Sequence, residues 1–147
     1  MTDLINKLPE ELRAKYAAQA CECCDVVECL KVAAVLKLWC DRGYRDVEFC
    51  VPLVLGRKKF FVDVLARKGE VVVGVECMPS LNLGWLRGRM RLLRRCLGPD
   101  TYFVIVFPST VGKRVDKAAF LADEVWVTDE DNGKVERMMF VSVCHKE

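Results

Sequence analysis

The stretch Phe60-Phe61-Val62-Asp63-Val64-Leu65-Ala66, a short basic turn, and then Val71-Val72-Val73-Gly74-Val75-Glu76-Cys77-Met78 decides how this chain is read. Both runs are short and almost wholly apolar, the pattern of consecutive β-strands packed on both faces. Each holds a single carboxylate. An ionised acid in such a strand is costly unless a cation, proton or strong donor meets it. Two of them on neighbouring strands therefore predict a cation site.

Counting residues sets the expected register. A two-residue turn at Lys68-Gly69 pairs Arg67 with Glu70 and puts Asp63 opposite Gly74. Glu76 then lies two residues along on the same face, at a diagonal separation that spans a bound metal. A loop one residue longer or shorter would turn the acids to opposite faces. In the preceding hairpin Gly56-Arg57 suits a type II′ turn, which sets Glu48 opposite Leu65 and Cys50 opposite Asp63. Three acids from three adjacent strands are thus expected to converge.

Around this centre the elements alternate. Pro9-Glu10-Glu11 opens a helix, with proline in the first turn and acids at the positive end of the dipole. Helical character runs to about Asp41, with Gly43 as the stop and a break near Cys21 to Asp25. Asp25-Val26-Val27-Glu28 reads as a capping-box variant opening the second piece. Strands are expected at about Asp46–Leu55, Lys59–Ala66 and Val71–Cys77. A helix follows from Pro79-Ser80 to about Leu97, closed by Gly98-Pro99. Thr101–Phe107 suits a buried parallel strand reached by that crossover helix, and Val111–Ala122 is helical by pattern. Two last strands, Glu124–Thr128 and Lys134–Val143, flank the turn Asp129–Gly133. This terminal hairpin would either extend the sheet or supply a dimer interface.

The order of elements and the two acids resemble the PD-(D/E)xK nuclease superfamily. Its members are built from an N-terminal helix, a three-strand meander, a crossover helix and a further parallel strand. Their signature is an Asp on the second strand and Glu-x-Lys ending the third. Asp63 and Glu76 match the acids, Glu48 sits where many members carry another, and the agreement runs from roughly Val26 to Val127. The resemblance implies an α/β fold with a restriction-endonuclease-like three-layer core. A mixed sheet is flanked by helices, with the C-terminal hairpin as an addition. It implies one domain over 1–147: a helical part at about 9–41, a nuclease-like core at about 45–128 and a strand extension at about 134–143. It also implies Mg²⁺ or Mn²⁺ held by Asp63, Glu76 and the Cys77 carbonyl, with Glu48 assisting, and phosphodiester cleavage by water. Some members add an acid from the N-terminal helix, for which Glu28 stands beside its capping role. The sequence departs from the motif at Met78, which occupies the lysine position. Methionine neither orients a water nor offsets phosphate charge, so a substitute cation is expected, with Arg87 and Lys113 the candidates by chain order.

The crossover helix carries the strongest charge signal. Arg87, Arg89, Arg91, Arg94 and Arg95 meet no acid between Leu81 and Leu97. Leu86, Met90, Leu93 and Leu97 form the buried stripe, leaving Arg87, Arg91 and Arg95 along one flank at i, i+4, i+8. Lys58, Lys59, Arg67 and Lys68 in the hairpin tips and Lys113-Arg114 after the fourth strand extend the basic surface. A net charge of only +2 does not exclude nucleic-acid binding through such a local patch. DNA is favoured over RNA as the expected partner. Arginines facing a partner subunit, or a solvated surface, are the competing explanation.

Composition bounds the rest. A length of 147 residues suits one sizeable core, and no apolar run of 18 or more predicts a membrane span. The start Met1-Thr2-Asp3-Leu4 lacks the pattern of a secretory signal, so the cytoplasm is expected. Nine cysteines with one glutamine and three asparagines fit a hyperthermophilic, archaeal source with internal disulfides. Small buried thiols are the equal alternative. Cys21-Glu22-Cys23-Cys24 and Cys29 lie in a helical stretch by pattern, a poor zinc arrangement, and His145 is isolated. Three functions follow: a metal-dependent nuclease, a degenerate nuclease-fold protein that binds without cutting, and a structural subunit that forms a homodimer, its acids satisfied by arginines.

Overall fold

Two glycines set the register of the leading meander. The computed structural model describes residues 2–19, 21, 23–131 and 134–142. In it β1 (Asp46–Leu55) and β2 (Lys58–Lys68) pair antiparallel across Gly56-Arg57. Gly56 takes φ +61°, the conformation a type II′ turn demands of its first central residue, and Glu48 lies opposite Leu65. Between β2 and β3 (Val71–Cys77) the turn is Gly69-Glu70 rather than Lys68-Gly69, with Lys68 opposite Val71 and Gly69 at φ +60°. Glycine again claims the first central position. The ladder is displaced by two residues from the expected one, so the face is kept, and extending it brings Asp63 opposite Glu76 instead of Gly74.

The N-terminal part is three helices, α1 (Thr2–Asn6), α2 (Glu10–Gln19) and α3 (Asp25–Leu36), the last continued by a π-helical turn over Lys37–Asp41. The short α1 was not foreseen in the sequence. Cys24, not Asp25, is the N-cap of α3 and makes no side-chain capping bond, so the expected capping box is absent. The break expected near Cys21 to Asp25 is present, and Cys21, Cys23 and Cys24 lie in it rather than in a helical stretch. Cys21 is joined there to Cys50 of β1, with Cα atoms 6.0 Å apart.

From β3 the chain crosses by α4 (Leu83–Leu97) to β4 (Tyr102–Pro108), which is parallel to β3. Asn82 caps α4, its side chain accepting from Trp85 N–H at 3.0 Å. The helical stretch expected over Val111–Ala122 is a 3₁₀ segment, Ser109–Ala118, whose helical path is interrupted by Gly112 at φ +68°. It leads to β5 (Glu124–Asp131), parallel to β4, and β6 (Lys134–Ser142) pairs antiparallel with β5. β5 runs past the expected end at Thr128 through a register shift between Thr128 and Glu130. The turn residues Asn132-Gly133, and Val143, lie outside the described residues. The sheet order is β1-β2-β3-β4-β5-β6.

The result is an α/β arrangement with helices on both faces of a mixed sheet. Leu4, Leu12, Leu30 and Val35 of the N-terminal helices pack on Val47, Phe49, Val64, Val75 and Trp126. Leu86, Met90 and Leu93 of α4, with Val111 and Val115, pack on Leu65, Phe103, Ile105 and Val127. Simple alternation fails at one place. Val64 and Ala66 belong to the first core, yet Phe60 and Val62 belong to the second; Val51 and Leu53 depart from Val47 and Phe49 in the same way. The change occurs at Cys50, which has φ +47° and by the ladder faces Asp63. The outer half of the hairpin thus turns over α4, and Asp63 sits at the pivot.

Candidate functional site

Asp63 and Glu76 meet where β2 changes face and β3 ends. The Cys77 backbone N–H donates to Asp63 Oδ2 at 2.7 Å, and the Asp63 and Glu76 carboxyls are within hydrogen-bonding reach of each other. Glu76 is 2% exposed. Burial, and then the charge of Asp63, push its carboxyl well above the usual range, and Arg89 only partly offsets them. Arg89 Nε donates to Glu76 Oε1 at 2.8 Å. The same guanidinium bonds the Phe61 carbonyl and lies over Phe60 at 4.7 Å and Trp85 at 5.5 Å. Burial and the same two acids push the Cys77 thiol far up, so it remains protonated.

A second group approaches Asp63 from α3. Lys31 is fully buried, its Nζ 2.6 Å from Glu28 Oε2 and 3.1 Å from Cys50 Sγ. Tyr16 donates its hydroxyl to Glu28 Oε1 at 3.0 Å. Burial alone would lower the Lys31 ammonium, but Glu28, with smaller contributions from Cys23 and Asp63, raises it. Glu28 therefore partners a buried lysine and a tyrosine, and the capping role expected for it is overturned. Sequence reasoning missed Lys31 because an i, i+3 Glu–Lys pair on a helix ordinarily reads as a solvated surface pair.

Glu48 does not join the acid pair. It is bonded at the sheet edge by Lys15 Nζ at 3.2 Å and by Gln19 Nε2. The Gln19 bond is the main reason its carboxyl is lowered, against some burial and with help from Lys15. The same two side chains of α2 also bond Val47 O at 3.0 Å and Phe49 N at 2.9 Å, covering the open edge of β1. The three-acid convergence is thus reduced to two. Among the described residues no three His, Cys, Asp or Glu side chains are grouped to hold a metal. Met78, at the motif lysine position, is 6% exposed among Phe60, Val62, Leu86 and Met90.

The arginines of α4 divide by role. Arg89 serves Glu76, and Arg94 bonds Leu121 O at 3.0 Å and lies over Phe103. Arg87, Arg91 and Arg95 are exposed and form no ion pair among the described residues. Arg91 and Arg95 line a groove of about 510 Å³ with Lys58 and Trp85. Arg87 is not in that lining, and Lys113 stands exposed on the 3₁₀ segment. Among the described residues neither forms a hydrogen bond or ion pair with the acid pair. Of the five basic residues expected at a nucleic-acid surface, the structure gathers three.

A second polar centre, at the start of β4 and β5, carries no signal in the sequence pattern. Arg42 grips Glu124 in two bonds of 2.6 and 2.7 Å, while Tyr102 O–H at 2.7 Å and Trp126 Nε1 at 3.1 Å also donate to it. Arg42 lies 5.2 Å from the Trp126 ring centre. These residues come from distant points of the chain, and no spacing rule links them.

No family model and no curated sequence matches the chain. Solved structures that share its fold include the following two. An XisH family protein from Nostoc punctiforme superposes with TM-score 0.51 at 13% identity, over 75% of this chain and 98% of that one. An fdxN element excision controlling factor protein from Anabaena variabilis superposes with TM-score 0.50 at 16% identity, over 78% of this chain and 98% of that one. Among the described residues no helix is long and apolar enough to cross a membrane.

Proposed function

We propose that this chain has a restriction-endonuclease-like core and acts on nucleic acid as a divergent, divalent-metal-dependent phosphodiesterase of the PD-(D/E)xK type. The observation that carries the reading is the meeting of Asp63 with Glu76, whose carboxyl is buried and pushed well up beside a like charge. Such a pair gains from a cation, and perturbed acids of this kind cluster at working sites. Magnesium is commonly held by one or two carboxylates plus substrate phosphate and water, a donor set that Asp63, Glu76 and the Cys77 carbonyl match. When bound, the ion would neutralise phosphate charge and acidify a water.

The chain's own side chains have separable tasks in this reading. Cys77 N–H fixes the Asp63 carboxylate, and Arg89 fixes that of Glu76. Lys31 supplies buried positive charge beside Asp63, in place of the lysine that Met78 displaces and in preference to Arg87 and Lys113. Lys58, Arg91 and Arg95 hold phosphates along α4. The name of the Anabaena neighbour, an element excision controlling factor, is compatible with work on nucleic acid.

The test is incubation with labelled single-stranded, duplex and branched DNA and RNA, with and without Mn²⁺. Metal-dependent cleavage that disappears in Asp63→Ala is expected; cleavage that survives that change would refute the assignment. The Arg89–Glu76 ion pair supports a second reading, a nuclease-fold protein that binds nucleic acid, or assembles as a homodimer, without cutting. Salt-dependent binding without cleavage, or self-association without binding, would select those forms.

A further inference from the structure

The groove on α4 contains more than phosphate-binding cations. Trp85 is 50% exposed within it, although tryptophan is normally buried or covered. Its neighbours one turn on and one residue before are Gly88 and Gly84. A Cβ at Gly88 would meet nothing within 4 Å, and one at Gly84 only the Asn82 side chain at 3.7 Å. The helix surface beside the indole is therefore bare and open. Lys58, Arg91 and Arg95 rim this space, and among the described residues no acid lines it. Arg89 touches both regions, lying 5.5 Å from the Trp85 ring centre and bonded to Glu76.

We infer that this groove binds a single-stranded segment of a polynucleotide, with one unstacked base lying on Trp85 and the flanking phosphates on Lys58, Arg91 and Arg95. The inference rests on the nucleic-acid reading above and narrows its substrate to unpaired strands or frayed ends. An aromatic ring among cations is the platform that single-strand binders use, because every base offers a π-face. Bases inside a duplex are already stacked and offer no face to an indole. The glycines give the flat base room against the helix. Through Arg89 the seated base lies one side chain away from the acid pair, so the strand it belongs to is delivered to Asp63 and Glu76.

The experiment follows tryptophan emission while the full chain is titrated at low salt with oligothymidylate, a blunt duplex of equal length, tripolyphosphate and polyglutamate. Trp126 is fully buried and Trp39 is stacked under Arg45, so a base on Trp85 dominates any quench. Oligothymidylate is expected to quench emission and to bind more tightly than the duplex. Trp85→Ala should abolish the quench and weaken single-strand binding roughly 5- to 150-fold, the range of one lost base stack, with duplex affinity unchanged. Trp85→Phe should restore most of the affinity, since the flat ring remains. Arg91→Ala should weaken both nucleic acids and flatten the salt dependence. Equal affinity for strand and duplex, or equal loss of both in Trp85→Ala, would overturn this inference alone. Tripolyphosphate competing as well as the oligomer would reduce the groove to an anion site. Quenching by polyglutamate would assign it to an acidic protein. Binding to no nucleic acid at all would remove the proposed function and this inference together.

Discussion

Glu76 and Glu124 are both buried glutamates at strand ends, and their surroundings push them in opposite directions. Burial raises each carboxyl. At Glu124, Arg42, Tyr102 and Trp126 outweigh that cost with four donated bonds, and the carboxyl ends below its ordinary value. At Glu76 a single arginine faces both burial and the charge of Asp63, and the carboxyl ends well above it. A fully satisfied acid is a structural joint, whereas an acid left wanting positive charge is held ready for a ligand. That contrast separates the scaffold from the candidate site more sharply than burial does.

The largest effects are expected where satisfaction is complete. Glu124→Ala takes the two-pronged carboxylate acceptor from Arg42 and the acceptor from Tyr102, and should destabilise the fold by about 3–5 kcal/mol, the scale of breaking a buried pair. Urea denaturation measures it, and a loss under 1 kcal/mol would erase the distinction drawn above. The disulfide at the pivot comes next. It closes a separation of 29 residues and ties the helix break to β1 beside Lys31, so Cys21→Ser should cost about 2–4 kcal/mol. Thiol titration of denatured protein should yield two more thiols after reduction than before. An unchanged count would disconnect the site from this tether.

How much of this was legible depends on how local the cause is. The two acids, the meander, the crossover helix and its arginine face follow from periodicity and turn chemistry, which act over a few residues. The acid pairing survived an incorrect turn because Gly69 displaced the ladder by two, an even number. Glu48 was misread because alternation fixes a register but does not say which helix covers an edge; α2 brought Lys15 and Gln19 to it. Lys31 was hidden because an i, i+3 pair with Glu28 ordinarily reads as solvated surface, and the change of face at Cys50 left no mark either. Cys50 adopts positive φ without being glycine, so no residue type marks the pivot. The Arg42–Glu124 joint spans 82 positions and lies beyond any pattern of spacing.

The smallest expected effects discriminate best between the two glutamates. A raised acid contributes stability that is present below its unfolded value and is lost as pH rises toward its folded value. A lowered acid contributes stability that is present above its unfolded value and is lost as pH falls through its folded value. Lowering the pH from 8 toward 5 should therefore raise the Tm through Glu76. Below the ordinary glutamate value of about 4.3 the loss of the Glu124 contribution should reverse the trend. Glu76→Gln keeps an acceptor for Arg89 and offers a donor to Asp63, so it should raise the Tm at pH 8 by a few degrees and leave it unchanged near pH 4. In the same variant the rise between pH 8 and 5 should vanish. Mn²⁺ should do for the wild type what the amide does, lifting the Tm at pH 8 while leaving Glu76→Gln almost unmoved. A variant that lost stability at pH 8, with Mn²⁺ acting equally on both proteins, would mean that Glu76 is as well satisfied as Glu124 and that the acid pair is a second joint of the scaffold.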